Sequence, residues 1–168
     1  MSLLFRASAV LTVSIALAGC GSSTSPSGSS SSSSSGCGAG SVNKGTLTAT
    51  INGVSFTATC VTASFISPGL AIGATDGTQS VGVGAISTGP ATLNMNNGGA
   101  NGLVNLLPTS GASWTANAGT VGSSGTLTLT RLDSTGAAGT FSFTAIATAG
   151  TGATGTKVVT AGTFSVTF

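Results

Sequence analysis

The sequence predicts an all-β fold for residues 42–168, either a single antiparallel β-sandwich or a small β-barrel-like domain. Short runs in which apolar residues alternate with threonine or serine recur throughout this region. Turn-forming residues separate the runs at intervals of about 8–12 residues, a spacing typical of sandwiches and barrels. With 40% hydrophobic residues, the chain can build a folded core although only 4% of its residues are charged.

The first predicted element is a β-hairpin within residues 45–60 (GTLTATINGVSFTATC). Asn52-Gly53 separates two alternating runs, which is the strongest short-range signal for a two-residue type I′ turn. One face of the hairpin is then apolar and the other carries threonine. The predicted register opposes apolar residues in three pairs: Ile51–Val54, Ala49–Phe56 and Leu47–Ala58.

Further strands show the same alternation, and turn residues separate most of them. They are predicted at 61–66, 70–74, 79–86, 91–95, 102–106, 126–133, 140–147, 157–160 and 163–168. The asparagine-rich stretch from Asn94 to Asn105 is expected to form an exposed loop that faces a partner. No segment after the N-terminal region combines a 3.6-residue apolar period with good helix formers.

Three of these strands open alike, with Gly-Thr-Leu at 125–127, Gly-Thr-Phe at 139–141 and Gly-Thr-Phe at 162–164. The intervals between them are unequal, which argues against a solenoid. Three adjacent antiparallel strands of one sheet are the better prediction.

Residues 1–19 have the organisation of a bacterial signal peptide. Met1–Arg6 is a short, positively charged start, and Ala7–Ala18 is an apolar run of about a dozen residues, the length of a signal h-region. A permanent membrane helix needs roughly 20 apolar residues, so this run is too short to be one. It ends in Leu17-Ala18-Gly19-Cys20, which resembles the lipobox of bacterial lipoproteins.

The lipobox resemblance implies that type II signal peptidase cuts before Cys20, which then carries a diacylglycerol and accepts a third acyl chain. Two or more chains anchor a protein stably where a single chain is marginal. Gly21 stands where inner-membrane lipoproteins often have aspartate, so we expect a lipid-anchored protein of the cell envelope. The outer membrane is favoured if the source is a Gram-negative bacterium. The alternative is an ordinary cleavable signal peptide.

Residues 20–41 are predicted to be a flexible tether that begins at the lipidated cysteine. Residues 21–36 (GSSTSPSGSSSSSSSG) are almost all serine and glycine. Such residues bury no apolar surface, so nothing offsets the entropy cost of ordering them. The tether would hold the domain away from the bilayer.

Cys37 and Cys60 remain when Cys20 is lipidated, an even pair in an oxidising compartment. A disulfide between them would close a loop of about 24 residues and stabilise the domain by roughly 3 kcal/mol. The alternative is two unpaired thiols. A zinc site is disfavoured, because two cysteines without histidine do not complete a tetrahedral ligand set.

The composition argues against catalysis and against nucleic-acid binding. The chain contains no histidine, which excludes Ser-His-Asp and Cys-His sites. Asp76 and Asp133 are the only acidic residues, and both lie in turn sequences where aspartate bonds its own backbone. The formal net charge is +2, and the few basic residues are too dispersed for a nucleic-acid patch. We therefore predict no catalytic residues, no metal site and no cofactor.

Trp114 is the only tryptophan and the one candidate ligand-binding residue. A tryptophan near loops can stack on sugar rings, whereas a core position is the commoner alternative.

Two segments resemble an uncharacterised domain of bacterial lipoproteins. They are Ile51-Asn52-Gly53 with Phe56, and the final run Gly162–Phe168 (GTFSVTF). The resemblance covers most of residues 43–168 and implies no established activity.

The sequence thus predicts a membrane-anchored cell-envelope lipoprotein whose β-domain has a non-catalytic structural or binding role. Membrane lipid is the expected partner through acylated Cys20, together with an unidentified envelope protein or glycan. One alternative is a surface adhesin or another glycan- or protein-binding module. Two others are a hydrolase and an outer-membrane β-barrel whose final strand would end at Phe168. The barrel is disfavoured because the chain has no tyrosine for the aromatic girdles that such barrels carry.

Overall fold

The computed structural model describes Cys37, residues 41–107 and residues 111–168. These residues form an all-β domain, as the sequence predicts. Eleven strands, all paired antiparallel, make one sheet that curls into a half-barrel. The predicted signal peptide, Cys20 and the tether, apart from Cys37 and Ser41, lie outside the described residues.

Among the residues that the structure describes, the strands follow one another through short connections, with a single 3₁₀ helix at Met95–Asn97 between β6 and β7. In chain order they are β1 Gly45–Ile51, β2 Val54–Thr57, β3 Cys60–Ile66, β4 Gly69–Thr75, β5 Gln79–Ile86, β6 Ala91–Asn94, β7 Ala100–Leu106, β8 Ser113–Ala116, β9 Ser124–Asp133, β10 Gly136–Ala147 and β11 Thr156–Thr167.

The sheet divides at β10. Its main path runs β2-β1-β11-β10-β8-β7-β5-β4-β3, while β9 also pairs with β10 and carries β6 on its other side. One edge of β10 therefore has two neighbours in succession. It pairs with β9 as far as Thr144 and with β8 at Ile146 and Ala147.

The Asn-Gly hairpin forms between β1 and β2 as predicted. Asn52 and Gly53 have φ angles of 49° and 82°, the left-handed values that a type I′ turn requires at both positions. Ile51 pairs with Val54. Val54 thus lies on the predicted apolar face, but β2 is an edge strand and leaves this side chain 65% exposed.

Two sequence predictions change, and one strand was missed. The asparagine-rich stretch is not a loop: it ends β6, forms the 3₁₀ helix and continues as β7 from Ala100. The Asn94 side chain accepts a hydrogen bond from the Asn96 amide, which turns the chain tightly and buries Met95 in the core.

The two predicted C-terminal strands are one strand, β11, with a left-handed residue at Ala161. β8 was not predicted as a strand.

The three strands with similar openings, β9, β10 and β11, are neighbours in the sheet, as predicted. The structure explains their shared glycine, because each one lies opposite a phenylalanine of the next strand. A Cβ on any of these glycines would come within 3.0 Å of its neighbours. The three cross-strand pairs are Gly125–Phe143, Gly139–Phe164 and Gly162–Phe141.

The curl brings β3, the last strand of the path, back beside the start of β1. The Lys44 amide donates to the Val61 carbonyl at 2.8 Å, and the Val61 amide donates to Asn43 Oδ1 at 3.1 Å. Phe65 of β3 stacks on the C-terminal Phe168, with ring centroids 5.6 Å apart. These contacts hold the two ends of the sheet around one apolar core.

Candidate functional site

Trp114 lies in the core rather than on a binding surface. Its side chain points inward from β8 and is only 5% exposed. The indole Nε1 donates to the Thr154 carbonyl at 3.1 Å, and the Lys157 ammonium stands 4.8 Å from the ring centroid. Trp114 thus occupies the core position that was the alternative to a sugar-stacking role. A sugar could stack on the ring only after displacing Lys157.

Asp76 holds the turn between β4 and β5. Its Oδ1 accepts hydrogen bonds from the Thr78 amide at 2.8 Å and from the Gln79 amide at 2.9 Å, and the Thr78 hydroxyl also donates to it. Partial burial acts to raise the pKa of this carboxyl, but the hydrogen bonds from Gln79 and Thr78 together outweigh it. The net result is a pKa below the usual 3.8.

Asp133 holds the turn between β9 and β10. It forms a salt bridge with Arg131 at 2.6 Å and accepts from the Thr135 amide at 2.7 Å. Hydrogen bonds from Arg131 and then from Thr135 hold the pKa of the exposed Asp133 carboxyl well below its usual value. Both acidic groups of the chain therefore bond residues of their own turns, which is the role that their sequence context predicts.

Cys37 and Cys60 are joined by a disulfide, with their Cα atoms 4.8 Å apart. Cys60 is the first residue of β3 and its side chain is buried. The bond fixes the end of the predicted tether to one end of the β3–β4 hairpin.

A hollow of 440 Å³ lies on the described surface at the point where β10 stops pairing with β9 and begins to pair with β8. It is lined by strand residues of β8 and β10 and by residues of the loop that joins β8 to β9. The lining residues are Thr115, Asn117, Gly119, Thr120, Val121 and 146–149. A smaller hollow of 180 Å³ lies between β9, β10 and β11.

Sequence reasoning missed this hollow, because it arises from the division of the sheet, which depends on pairing between distant strands. The one local signal was the polar stretch 117–123, whose asparagine and glycines indicate a turn. None of the residues singled out from the sequence lines it. Trp114 is next to Thr115 in the chain but points to the opposite face of β8.

The described part of the chain contains no cluster of three or more histidine, cysteine, aspartate or glutamate residues that could bind a metal ion. Across the same residues, no helix has the length and hydropathy to cross a membrane.

Comparison with protein-family models, with curated proteins and with solved structures finds no match for this chain. The fold and the site thus define a class only, an all-β domain with an uncharged surface hollow.

Proposed function

We propose that this chain is a lipid-anchored protein of the bacterial cell envelope whose β-domain serves as a structural or binding module. The observation that carries the proposal is Leu17-Ala18-Gly19-Cys20, which closes an apolar run of signal-peptide length and precedes a serine-rich tether. Lipid attached at Cys20 would hold the domain at the membrane, with outer-membrane delivery favoured in a Gram-negative source.

The surface of the domain supports a position in water beside the membrane. Along β1, β9 and β11, side chains alternate between buried apolar residues and outward threonines and serines. Hydroxyl side chains facing outward suit an aqueous compartment, whereas a surface in contact with lipid carries an apolar band.

The arrangement of the acidic groups supports a non-catalytic role. General acid–base chemistry needs a carboxyl group free to exchange a proton with a substrate. Asp76 and Asp133 instead accept hydrogen bonds from their own turns, and the pKa of each is lowered, which favours the ionised form. A hydrolase therefore remains the weaker alternative, and it predicts a hydrolytic activity that Asp76→Ala or Asp133→Ala would abolish.

The hollow beside β8 favours a binding role over a purely structural role for the β-domain. Its volume of 440 Å³ lies in the range of small-ligand sites, about 300–1,000 Å³, but it is open and shallow, so a ligand would lie across it rather than be enclosed. A surface adhesin or another glycan- or protein-binding module is the alternative reading of the same domain.

The test of the anchor is the intact mass of the protein extracted from native membranes, with a Cys20→Ser variant as its control. We expect a chain that begins at Cys20 and carries acyl groups, and we expect metabolic labelling with palmitate in the native chain alone. An unlipidated mass, or cleavage at another position, would refute the lipoprotein proposal.

A further inference from the structure

The hollow beside β8 is a structural consequence of the divided sheet. β9 and β8 share one edge of β10, so the chain that joins them must leave the sheet at this point. Residues 117–123 form this connection and make one wall of the hollow. Ile146 and Thr148, at the end of β10 and just beyond it, also line the hollow.

The wall is held in place by its own side chains. Asn117 Oδ1 accepts from the Gly119 amide and from the Thr120 hydroxyl, both at 2.9 Å. The buried Ser123 hydroxyl lies 2.8 Å from the Thr120 carbonyl and 3.1 Å from the Asn117 carbonyl. A wall fixed in this way loses little further conformational entropy when a ligand binds, which favours affinity.

All the lining residues are uncharged, and they combine two kinds of surface. Val121 is 95% exposed on the wall, and Ile146 adds a partly exposed apolar side chain. The Thr115 and Thr148 hydroxyls lie 3.0 Å apart and share one hydrogen bond. That bond uses a single proton, so the pair keeps further donor and acceptor capacity.

This chemistry selects against charged ligands. An ionised group would meet no opposite charge among the lining residues, so the hollow offers it no ion pair. An uncharged ligand with both hydroxyl groups and C–H surface would satisfy the threonines and cover the apolar side chains together.

The pairing of the strands also selects against an added peptide strand. Peptides that bind by strand addition need an open sheet edge. At the hollow, β8 pairs with β7 and β10, while β9 pairs with β6 and β10. Each strand beside the hollow thus has neighbours on both sides.

We propose that the hollow formed by Thr115, Val121, Ile146 and Thr148 is a binding site for an uncharged saccharide. In this proposal Val121 and Ile146 pack against the C–H face of a sugar ring, and the two threonine hydroxyls bond its hydroxyl groups. The proposal deepens the binding role proposed above and rests on it.

The test is ligand-detected saturation-transfer NMR on the purified full-length protein, with neutral tetrasaccharides, sulfated tetrasaccharides and uncharged peptides as the probes. We expect a signal from at least one neutral saccharide and a much weaker one from its sulfated form. Val121→Asp should weaken the interaction about tenfold or more, and Thr148→Val should weaken it about fivefold.

The matched control is Val54→Asp, which introduces the same charge at another exposed valine, in the hairpin on β2. It should leave binding unchanged, and neither substitution removes a buried contact that folding needs. Saccharide binding that survives Val121→Asp, or no neutral saccharide binding at all, would overturn the proposal. Binding of the peptides alone would overturn it in favour of a protein partner. The intact mass of the same sample reports the lipid anchor independently, so the two proposals can fail separately.

Discussion

Phe141 of β10 lies directly opposite Gly162 of β11, and its ring occupies the space that a side chain at position 162 would need. An added Cβ would stand 2.5 Å from the ring carbons Cδ2 and Cε2. Phe164 covers Gly139 in a similar way, with its Cζ 3.0 Å from an added Cβ, whereas the Phe143 ring covers Gly102 of β7 and only its Cβ crowds Gly125. Phenylalanine rings laid over glycines of other strands therefore contribute to the core in this part of the sheet.

Gly162→Ala should destabilise the domain. The methyl group cannot fit without moving the Phe141 ring or the backbone, and overpacking of this kind costs about 1–3 kcal/mol. Urea unfolding followed by circular dichroism measures the change in the free energy of unfolding. Combining Gly162→Ala with Phe141→Leu should cost less than the sum of the two single changes, because the smaller side chain relieves the overlap.

Gly89→Ala is the matched control for this prediction. No atom lies within 4 Å of the position where its Cβ would stand, and its φ is outside the left-handed region. Its effect should lie between zero and a gain of about 1 kcal/mol, since alanine restricts the unfolded chain. Equal losses at positions 89 and 162 would contradict the packing explanation.

Loss of the Cys37–Cys60 disulfide should lower the stability of the domain by roughly 3 kcal/mol, as expected from the 23-residue separation that the bond closes. Cys37→Ser is the cleaner variant, because Cys60 is buried and a serine there adds a second cost. Thermal unfolding of the native chain and of Cys37→Ser, each with and without reductant, measures the effect. Reductant should lower the Tm of the native chain only; an equal response in Cys37→Ser would contradict the prediction.

Acid should destabilise the domain through its two carboxyl groups. Their pKa values are lower in the folded state than the usual 3.8. Each group therefore stabilises the fold above that value, and the contribution is lost as the pH falls through the folded pKa. The chain has no histidine, so the Tm should stay nearly constant from about pH 5 to 8 and decline below about pH 4.

The double variant Asp76→Asn/Asp133→Asn tests this cause, since asparagine keeps an acceptor oxygen in each turn but does not titrate. Its Tm should fall less than that of the native chain between pH 5 and pH 2. A fall of the same size in both proteins would assign the acid sensitivity to something other than these turns.

Local patterns predicted the strands well, because alternation and turn residues act over a few positions. Asn52-Gly53 defines its hairpin without help from the rest of the chain, and Asp76 and Asp133 bond only their own turns. The burial of Met95 and the exposure of Val54 depend instead on which strands lie beside them, and alternation does not contain that information. The hollow was missed for the same reason, as Thr115 and Thr148 meet only because β8 replaces β9 beside β10.

Trp114 should behave as a core residue in solution. Trp114→Ala would remove a buried ring and cost about 3–5 kcal/mol, so lost ligand binding in that variant would not distinguish a sugar platform from unfolding. Trp114→Phe retains most of the packing and removes the bond to the Thr154 carbonyl, which should cost about 1 kcal/mol.

Lys157→Ala separates the two roles, because it uncovers the indole face without removing the ring. Acrylamide should quench Trp114 fluorescence weakly in the native chain and more strongly in Lys157→Ala. Affinity for a neutral saccharide should be the same in both proteins, since the proposed site lies on the opposite face of β8. A saccharide that bound more tightly to Lys157→Ala and shielded its tryptophan from acrylamide would assign the sugar site to Trp114 instead.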